Sequence, residues 1–359
     1  MSVRKCKFEF AFRVLNLMSY PYVLYGCKYN TTETRKQTMI KVAEKALPLI
    51  RYEQLRKVDG KTELTLLQKR AKSKFITLKL MSKMCTLNSP LARGYQKTCA
   101  CATVIEQKDG KMTSRYCGNR WCSVCNRIRS AQYISKYEPI LKTWNDTQFV
   151  TLTVVNVVAN DLLDTLTDMN KNFRRVLDLM RKRKIPIRGI RKVEITYNEE
   201  ANTYHPHFHV LVEGKESADI LHDEWLRLNP TAKGIAQRVM GVAADNINVY
   251  KEIFKYITKL FEKDKTGKYK EVNPGALDII FRVMKGRRTL QPFGFKAPTV
   301  EEEGAIELTE STDAPTAEVT TWIWIENDWY DIGTGEALTD FRITKKVERM
   351  LKETGLVPT

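Results

Sequence analysis

Histidine is scarce in this chain of 359 residues, and three of its four copies fall within Thr203–Val212: His205, His207 and His209. Spaced by two and followed by Val-Leu-Val, they have the period of a β-strand. That period sets all three imidazoles on one side, with Phe208, Val210 and Val212 on the other, toward a core. Neutral imidazole is a frequent metal ligand, and two on alternate strand positions can reach one cation. The stretch before it, Gly189–Asn198, is also rich in β-formers and ends in a turn-like Glu199-Glu200-Ala201-Asn202, so the two make a hairpin. A four-residue loop pairs Asn198 with Thr203. Counting outward puts Glu194 opposite His207, with His209 diagonal to it on the same face. Glu194, His207 and His209 then form a two-histidine, one-carboxylate metal site with positions left for water or substrate oxygens. A loop one residue longer or shorter turns Glu194 away and leaves Glu199 or Glu200 in its place.

The second constellation is Lys251–Glu262. Ile253, Phe254, Ile257, Leu260 and Phe261 recur at helical spacing, and Glu252, Tyr256, Lys259 and Lys263 fall on the opposite face. A phenol facing a metal-polarised phosphate, with lysine nearby, can attack phosphorus and form a phosphotyrosine, and Glu252 can accept a proton from Tyr256 or from water. By itself such a helix is common; its weight comes from following the histidine strand.

The third is Cys99-x-Cys101, then Cys117-x4-Cys122-x2-Cys125. The two-residue spacing of Cys122 and Cys125 lets both thiolates reach one tetrahedral Zn²⁺. Cys117, Cys122, Cys125 and one of Cys99 or Cys101 make a structural, all-sulfur site. The arginines around it, Arg115, Arg120, Arg127 and Arg129, suit contacts to a nucleic-acid backbone.

The elements that must position these groups follow from periodicity. Gln148–Val155 alternates like a strand. Leu162, Leu166, Met169, Phe173, Val176 and Met180 form the core stripe of a helix. Asn126–Trp144 and Ser217–Leu228 read as helices, Asn246–Tyr250 as a strand, and His222 as an ordinary histidine. Residues 1–95 read as a basic helical accessory or DNA-binding region, in which Lys69-Arg70-Ala71-Lys72-Ser73-Lys74 serves either nucleic acid or a solvated face. Residues 96–130 form the cysteine segment and 131–299 the catalytic domain, with Arg287 and Arg288 extending its basic surface. An acidic linker occupies 300–321, and a hairpin and short helix occupy 322–359.

Net charge is +18, with 60 Lys and Arg against 42 Asp and Glu. Glu301–Thr321 holds seven acids and no base, so the positive surplus is concentrated upstream. Such a surplus favours a polyanionic partner, nucleic acid before membrane. No apolar run reaches the roughly 18 residues of a membrane span, and Arg13 breaks the stretch where a signal-peptide core would lie. The chain therefore reads as cytoplasmic.

The pattern resembles the HUH endonucleases, and among them the rolling-circle replication initiators of small bacterial plasmids. Phe149–Asn156 is similar to the family's first motif, His205–Val212 to its metal-binding motif, and Glu252-x3-Tyr256 with Lys259 to its catalytic helix. The segment Cys117–Cys125 with Arg127 and Arg129 is similar to the cysteine-rich stretch that precedes the first motif. The tyrosine follows the histidine motif, the order of initiators rather than relaxases, and Glu252 stands where two-tyrosine members carry a second tyrosine. The resemblance implies an α+β fold with a central antiparallel sheet flanked by helices. It also implies Mg²⁺ or Mn²⁺ on His207 and His209, and Tyr256 as the nucleophile that nicks the origin and leaves a 3′-OH primer. Glu252 then activates water to end the round. Lys263 joins the DNA-contacting set. DNA, a host helicase and a DNA polymerase are the implied partners, with a homodimer left open, because no Gly-x4-Gly-Lys-[Ser/Thr] motif supplies a built-in motor. An HUH transposase or mobilisation nickase, or a non-catalytic zinc-containing nucleic-acid-binding protein, are the alternatives.

Overall fold

The computed structural model describes residues 64–108, 111–243, 247–254, 263–298 and 319–358. In chain order the elements are α1 (Leu66–Met84), α2 (Ala92–Cys99), β1 (Val104–Lys108), β2 (Lys111–Ser114), α3 (Ser123–Leu141), β3 (Thr147–Thr153), α4 (Leu162–Lys182), β4 (Gly189–Asn198), β5 (Thr203–Glu213), α5 (Lys215–Leu228), β6 (Arg238–Val242), α6 (Ile247–Phe254), α7 (Pro274–Met284), β7 (Leu290–Phe293), β8 (Thr320–Ile325), β9 (Asp328–Asp331) and α8 (Lys345–Glu353). The described residues form a mixed α+β fold with two antiparallel sheets, ordered β2-β1-β8-β9 and β6-β3-β5-β4-β7. No described helix is long and apolar enough to cross a membrane.

The chain divides into two compact units, one from Asn126–Glu262 and Gly275–Glu302, the other from Met1–Cys125, Lys263–Pro274 and Glu303–Thr359. In the first, β5 lies at the centre of the five strands, between β3 and β4. Tyr204, Phe208, Val210 and Val212 fill one face. The Phe208 ring packs edge-on against Phe173 of α4 and Trp225 of α5, at centroid distances of 5.6 Å in both cases. The α4 stripe of Leu162, Leu166, Met169, Phe173, Val176 and Met180 is wholly buried, each side chain contributing roughly 1.5–3 kcal/mol over exposure. α4 ends where Lys184 adopts φ +58° and Ile185 N–H donates to the Met180 carbonyl at 2.9 Å, a left-handed stop ahead of Pro186.

The opposite face carries the histidines at one end and an aromatic cluster at the other. Tyr133, Tyr137 and Leu141 of α3, Trp144, Ile190, Leu211, and Tyr250, Ile253 and Phe254 of α6 form that cluster. Here the structure corrects an expectation: Ile247–Tyr250 is helical, not a strand. Tyr250, Ile253 and Phe254 repeat at i, i+3, i+4 and bury together, and that burial outweighs the β preference of Val249 and Tyr250.

In the second unit β8 pairs with β1, Val104 facing Ile323, and β8 turns into β9. Trp324 and Trp329 stack edge-on at 4.6 Å in its core. Thr65 and Gln68 form a reciprocal capping box at the start of α1. Residues 1–63, most of the basic N-terminal region, and most of the acidic stretch lie outside the described residues.

Candidate active site

The β4–β5 hairpin closes through Glu199–Asn202. Asn198 Oδ1 accepts from Ala201 N–H at 3.2 Å, and Asn202 sits at φ +48°, a conformation asparagine tolerates better than most residues. This loop sets the register: Asn198 pairs with Thr203, Thr196 with His205, Glu194 with His207 and Lys192 with His209. Glu194 therefore faces inward, and Glu199 and Glu200 stay exposed in the loop. On the far side Thr153 pairs with His207 and Thr151 with His209.

One ligand atom each from Glu194, His207 and His209 lies within 4.8 Å of the others. The second nitrogen of each imidazole is held in place. His207 Nδ1 donates to the His205 carbonyl at 3.2 Å, and His209 Nδ1 shares a hydrogen bond with Thr151 Oγ1 at 3.4 Å. A carbonyl can only accept, so the His207 bond leaves Nε2 as its lone-pair nitrogen, and the Thr151 hydroxyl helps hold the His209 ring. His209 Nε2 is 3.6 Å from Glu194 Oε2. His205 stands outside this group; its Nδ1 donates to Asn156 Oδ1 at 2.8 Å.

The site is buried, with Glu194 2%, Lys192 4% and His207 7% exposed. Burial alone would raise the Glu194 carboxyl, but the Lys192 ammonium, with the two imidazoles, brings it down to about 2. Burial lowers His207 to about 4 against the opposing pull of Glu194. Near neutral pH the carboxylate is ionised and the His207 imidazole neutral, the forms that bind metal. Glu194 Oε1 is buried without a hydrogen-bond partner, a costly state that a cation at this point would relieve. The donor set fits a divalent ion.

Lys192 is the residue that periodicity did not single out. Its Nζ donates to Glu194 Oε2 at 2.9 Å and to the main-chain carbonyl of Glu252 in α6 at 2.9 Å. The signal was present, because Lys192 shares the even-numbered face of β4 with Glu194. Glu252 lies in α6, half-buried. Tyr256 and Lys259 lie outside the described residues. Lys263 is exposed and pairs with Tyr269 in an isolated bridge, its ammonium 4.8 Å from the Tyr269 ring centre; it does not continue the helical face expected of it. Among the arginines, Arg115, Arg127 and Arg288 are exposed and Arg120 and Arg287 half-buried. Arg129 is buried and donates to Asn126 Oδ1 at 3.4 Å.

Among known proteins, the model of the replication protein family Rep_1 matches residues 111–295, just over half of the chain. The chain belongs to this replication protein family. The match encloses the whole five-stranded sheet and its histidine strand. Among its relatives, a "Protein rep" from Streptococcus pneumoniae serotype 2 (strain D39 / NCTC 7466) is 34% identical over 122 residues, which cover 32% of this chain and 38% of that protein. A "Protein rep" from Staphylococcus aureus is 33% identical over 175 residues, covering 44% of this chain and 74% of that protein. One from Bacillus sp is 30% identical over 133 residues, 34% and 43% of the two chains. The chain thus spans about two fifths of the first and third of these relatives and three quarters of the second. No solved structure matches it. Family membership agrees with the resemblance to plasmid rolling-circle initiators drawn from the motifs.

The Rep_1 match also takes in Cys117, Cys122 and Cys125. Their sulfurs and that of Cys101 lie within 4.8 Å of one another, with Cys101 and Cys117 3.5 and 3.6 Å from Cys125. Cys99 stands outside the group, its buried thiol pushed up to about 12, so of the two alternatives it is Cys101 that joins the cluster. Behind it Lys74 is 1% exposed, where the sequence suggested a solvated or nucleic-acid-binding lysine. Its Nζ donates to the carbonyls of Cys99 at 2.8 Å and Cys101 at 2.5 Å, and to Thr103 Oγ1 at 3.3 Å. Four adjacent sulfurs backed by a buried ammonium fit one tetrahedral zinc.

Proposed function

We propose that this protein starts rolling-circle replication of a plasmid by metal-dependent nicking of one DNA strand at the origin. The observation that carries the reading is the convergence of Glu194, His207 and His209 on one face of the central sheet, with Glu194 Oε1 left without a partner, in a chain of the Rep_1 replication protein family. The antiparallel sheet with its histidines on the middle strand supports an HUH endonuclease domain. Glu194, His207 and His209 would hold Mg²⁺ or Mn²⁺; when bound, the ion polarises the scissile phosphate and offsets the charge that builds on it.

The chain's own groups do the rest. Tyr256 Oη attacks phosphorus, the P–O3′ bond breaks, and the leaving oxygen takes up a proton to become the 3′-OH primer, while the 5′-phosphate stays on the tyrosine. Lys259 offsets negative charge near the phenol. At the end of the round Glu252 accepts a proton from water, whose oxygen attacks phosphorus and returns Tyr256 to its phenol. Only one tyrosine is needed in this scheme. Cys101, Cys117, Cys122 and Cys125 would hold a structural Zn²⁺. DNA is the substrate, contacted by exposed cations such as Arg115, Arg127, Lys263 and Arg288, and a host helicase and polymerase extend the primer.

Incubation of the purified protein with single-stranded and supercoiled DNA from its own replicon, in Mn²⁺, tests this on a denaturing gel. A protein–DNA adduct is expected from the unaltered chain and none from Tyr256→Phe. DNA bound but never cleaved with any divalent ion, or an adduct that persists in Tyr256→Phe, overturns the reading.

A further inference from the structure

Lysine on a sheet usually extends its ammonium to water along an edge. Lys192 does not. It sits on β4, between β5 and β7, and its side chain is 5% exposed. A buried ammonium needs both charge compensation and acceptors for its protons. Lys192 takes the charge compensation from Glu194 Oε2 and a further acceptor from the Glu252 main-chain carbonyl, both at 2.9 Å. The first partner belongs to the metal-site triad. The second lies in the last described turn of α6, four residues before Tyr256 in the sequence. α6 also packs on the sheet through Tyr250, Ile253 and Phe254 and is bonded to α3 by Ser130 Oγ, which donates to the Phe254 carbonyl at 2.7 Å. A hydrogen bond from a charged donor adds a short, directional restraint to such apolar contacts.

We infer that Lys192 is a positioning residue that ties α6 to the metal-site carboxylate, fixing where the chain enters the segment bearing Tyr256. One ammonium bonded at both ends transmits position directly. It also holds Oε2 of Glu194, leaving Oε1 as the free donor. The inference rests on the nuclease reading for its catalytic consequence, but its structural content does not depend on DNA. A small misplacement of a nucleophile costs rate out of proportion to the binding energy lost.

The test compares the unaltered protein, Lys192→Met and Lys192→Arg. In metal-free protein, hydrogen–deuterium exchange of the Ile247–Phe254 amides is expected to quicken by about tenfold or more in Lys192→Met while that of Thr203–Glu213 stays put. Mn²⁺ titration followed by electron paramagnetic resonance sets the saturating metal concentration for each variant. At that concentration Lys192→Met should form the DNA adduct about tenfold or more slowly with an unchanged half-saturating oligonucleotide concentration. Lys192→Arg, which keeps the charge and two donors, should recover part of both losses. Should Lys192→Met unfold by stranding the carboxylate, the exchange comparison moves to Glu194→Gln against Glu194→Gln/Lys192→Met, where no carboxylate is stranded. Unchanged exchange in α6, or an adduct rate fully restored by saturating Mn²⁺, overturns the tie. If the unaltered protein forms no adduct at all, the nuclease reading falls and the exchange comparison still decides the role of Lys192.

Discussion

Among the described residues, two clusters of side chains that could hold a metal ion fall one in each unit, and each has a buried lysine against it. At the histidine site the ammonium of Lys192 bonds a ligand carboxylate directly, and one carboxylate oxygen is left over. At the cysteine site the ammonium of Lys74 bonds the main-chain carbonyls of Cys99 and Cys101 and, among the described residues, no carboxylate. The difference separates two uses of the same residue. Lys192 neutralises the carboxylate of a mixed nitrogen and oxygen donor set, a composition that would suit a catalytic metal. Lys74 lies against four sulfurs that would fill a tetrahedral set by themselves, a composition that would suit a structural metal.

The largest effect that bears on this contrast is expected at the open site. His207→Ala should cut adduct formation by about 10³-fold and abolish Mn²⁺ binding while zinc content, read by mass spectrometry, holds at its unaltered value; loss of both metals together would break the separation of the two sites. Next in size, Cys122→Ser should release zinc and remove exchange protection from β1 and β8, with Mn²⁺ affinity preserved, because structural zinc contributes folding energy outright.

Lys74→Met should lower stability by about 1–3 kcal/mol through its stranded carbonyls and hasten zinc loss to a chelator. A variant as stable as the parent would mean that Lys74 is incidental to the cluster. The smallest effect is a resonance that stays still. With His207 lowered to about 4, its imidazole signal should not move between pH 7.5 and 5.5, where an ordinary histidine titrates. In the window from about 6.5 down to about 4 the unfolded chain takes up a proton that folded His207 refuses, so this group's contribution to stability falls as pH falls. A midpoint near 6.5 would show the site to be wet.

Much of the histidine site was legible because it is local. A strand period and a four-residue loop ending in Asn202 are enough to bring Glu194 opposite His207, and both lie within one hairpin. The α4 stripe was legible for the same reason. What was not legible depended on distant partners. Lys192 looks like any surface lysine until Glu252, sixty residues away, arrives above it. Lys74 sits in a run of cations that reads as a solvated face, and only its packing against Cys99 and Cys101 shows otherwise. Cys99 and Cys101 are equivalent in spacing, and only the packing that brings Cys101 to the other three sulfurs separates them. The start of this helix, Ile247–Tyr250, was misread as strand because its β-forming residues are the ones its aromatic cluster needs, whereas the helical expectation for Lys251–Phe254 held.

The pairing of β8 with β1 bears on how the chain is made. Val104 meets Ile323, so the sheet beside the cysteine cluster waits for a strand that a ribosome delivers more than two hundred residues later, and contacts so far apart in sequence form slowly. The five-stranded sheet has all its strands once β7 is made and can close first. A newly made molecule would therefore pass through a stage in which the histidine hairpin is assembled while β1 still exposes an unpaired edge. Zinc that reached the cysteines during that interval would hold β1 ready for its late partner.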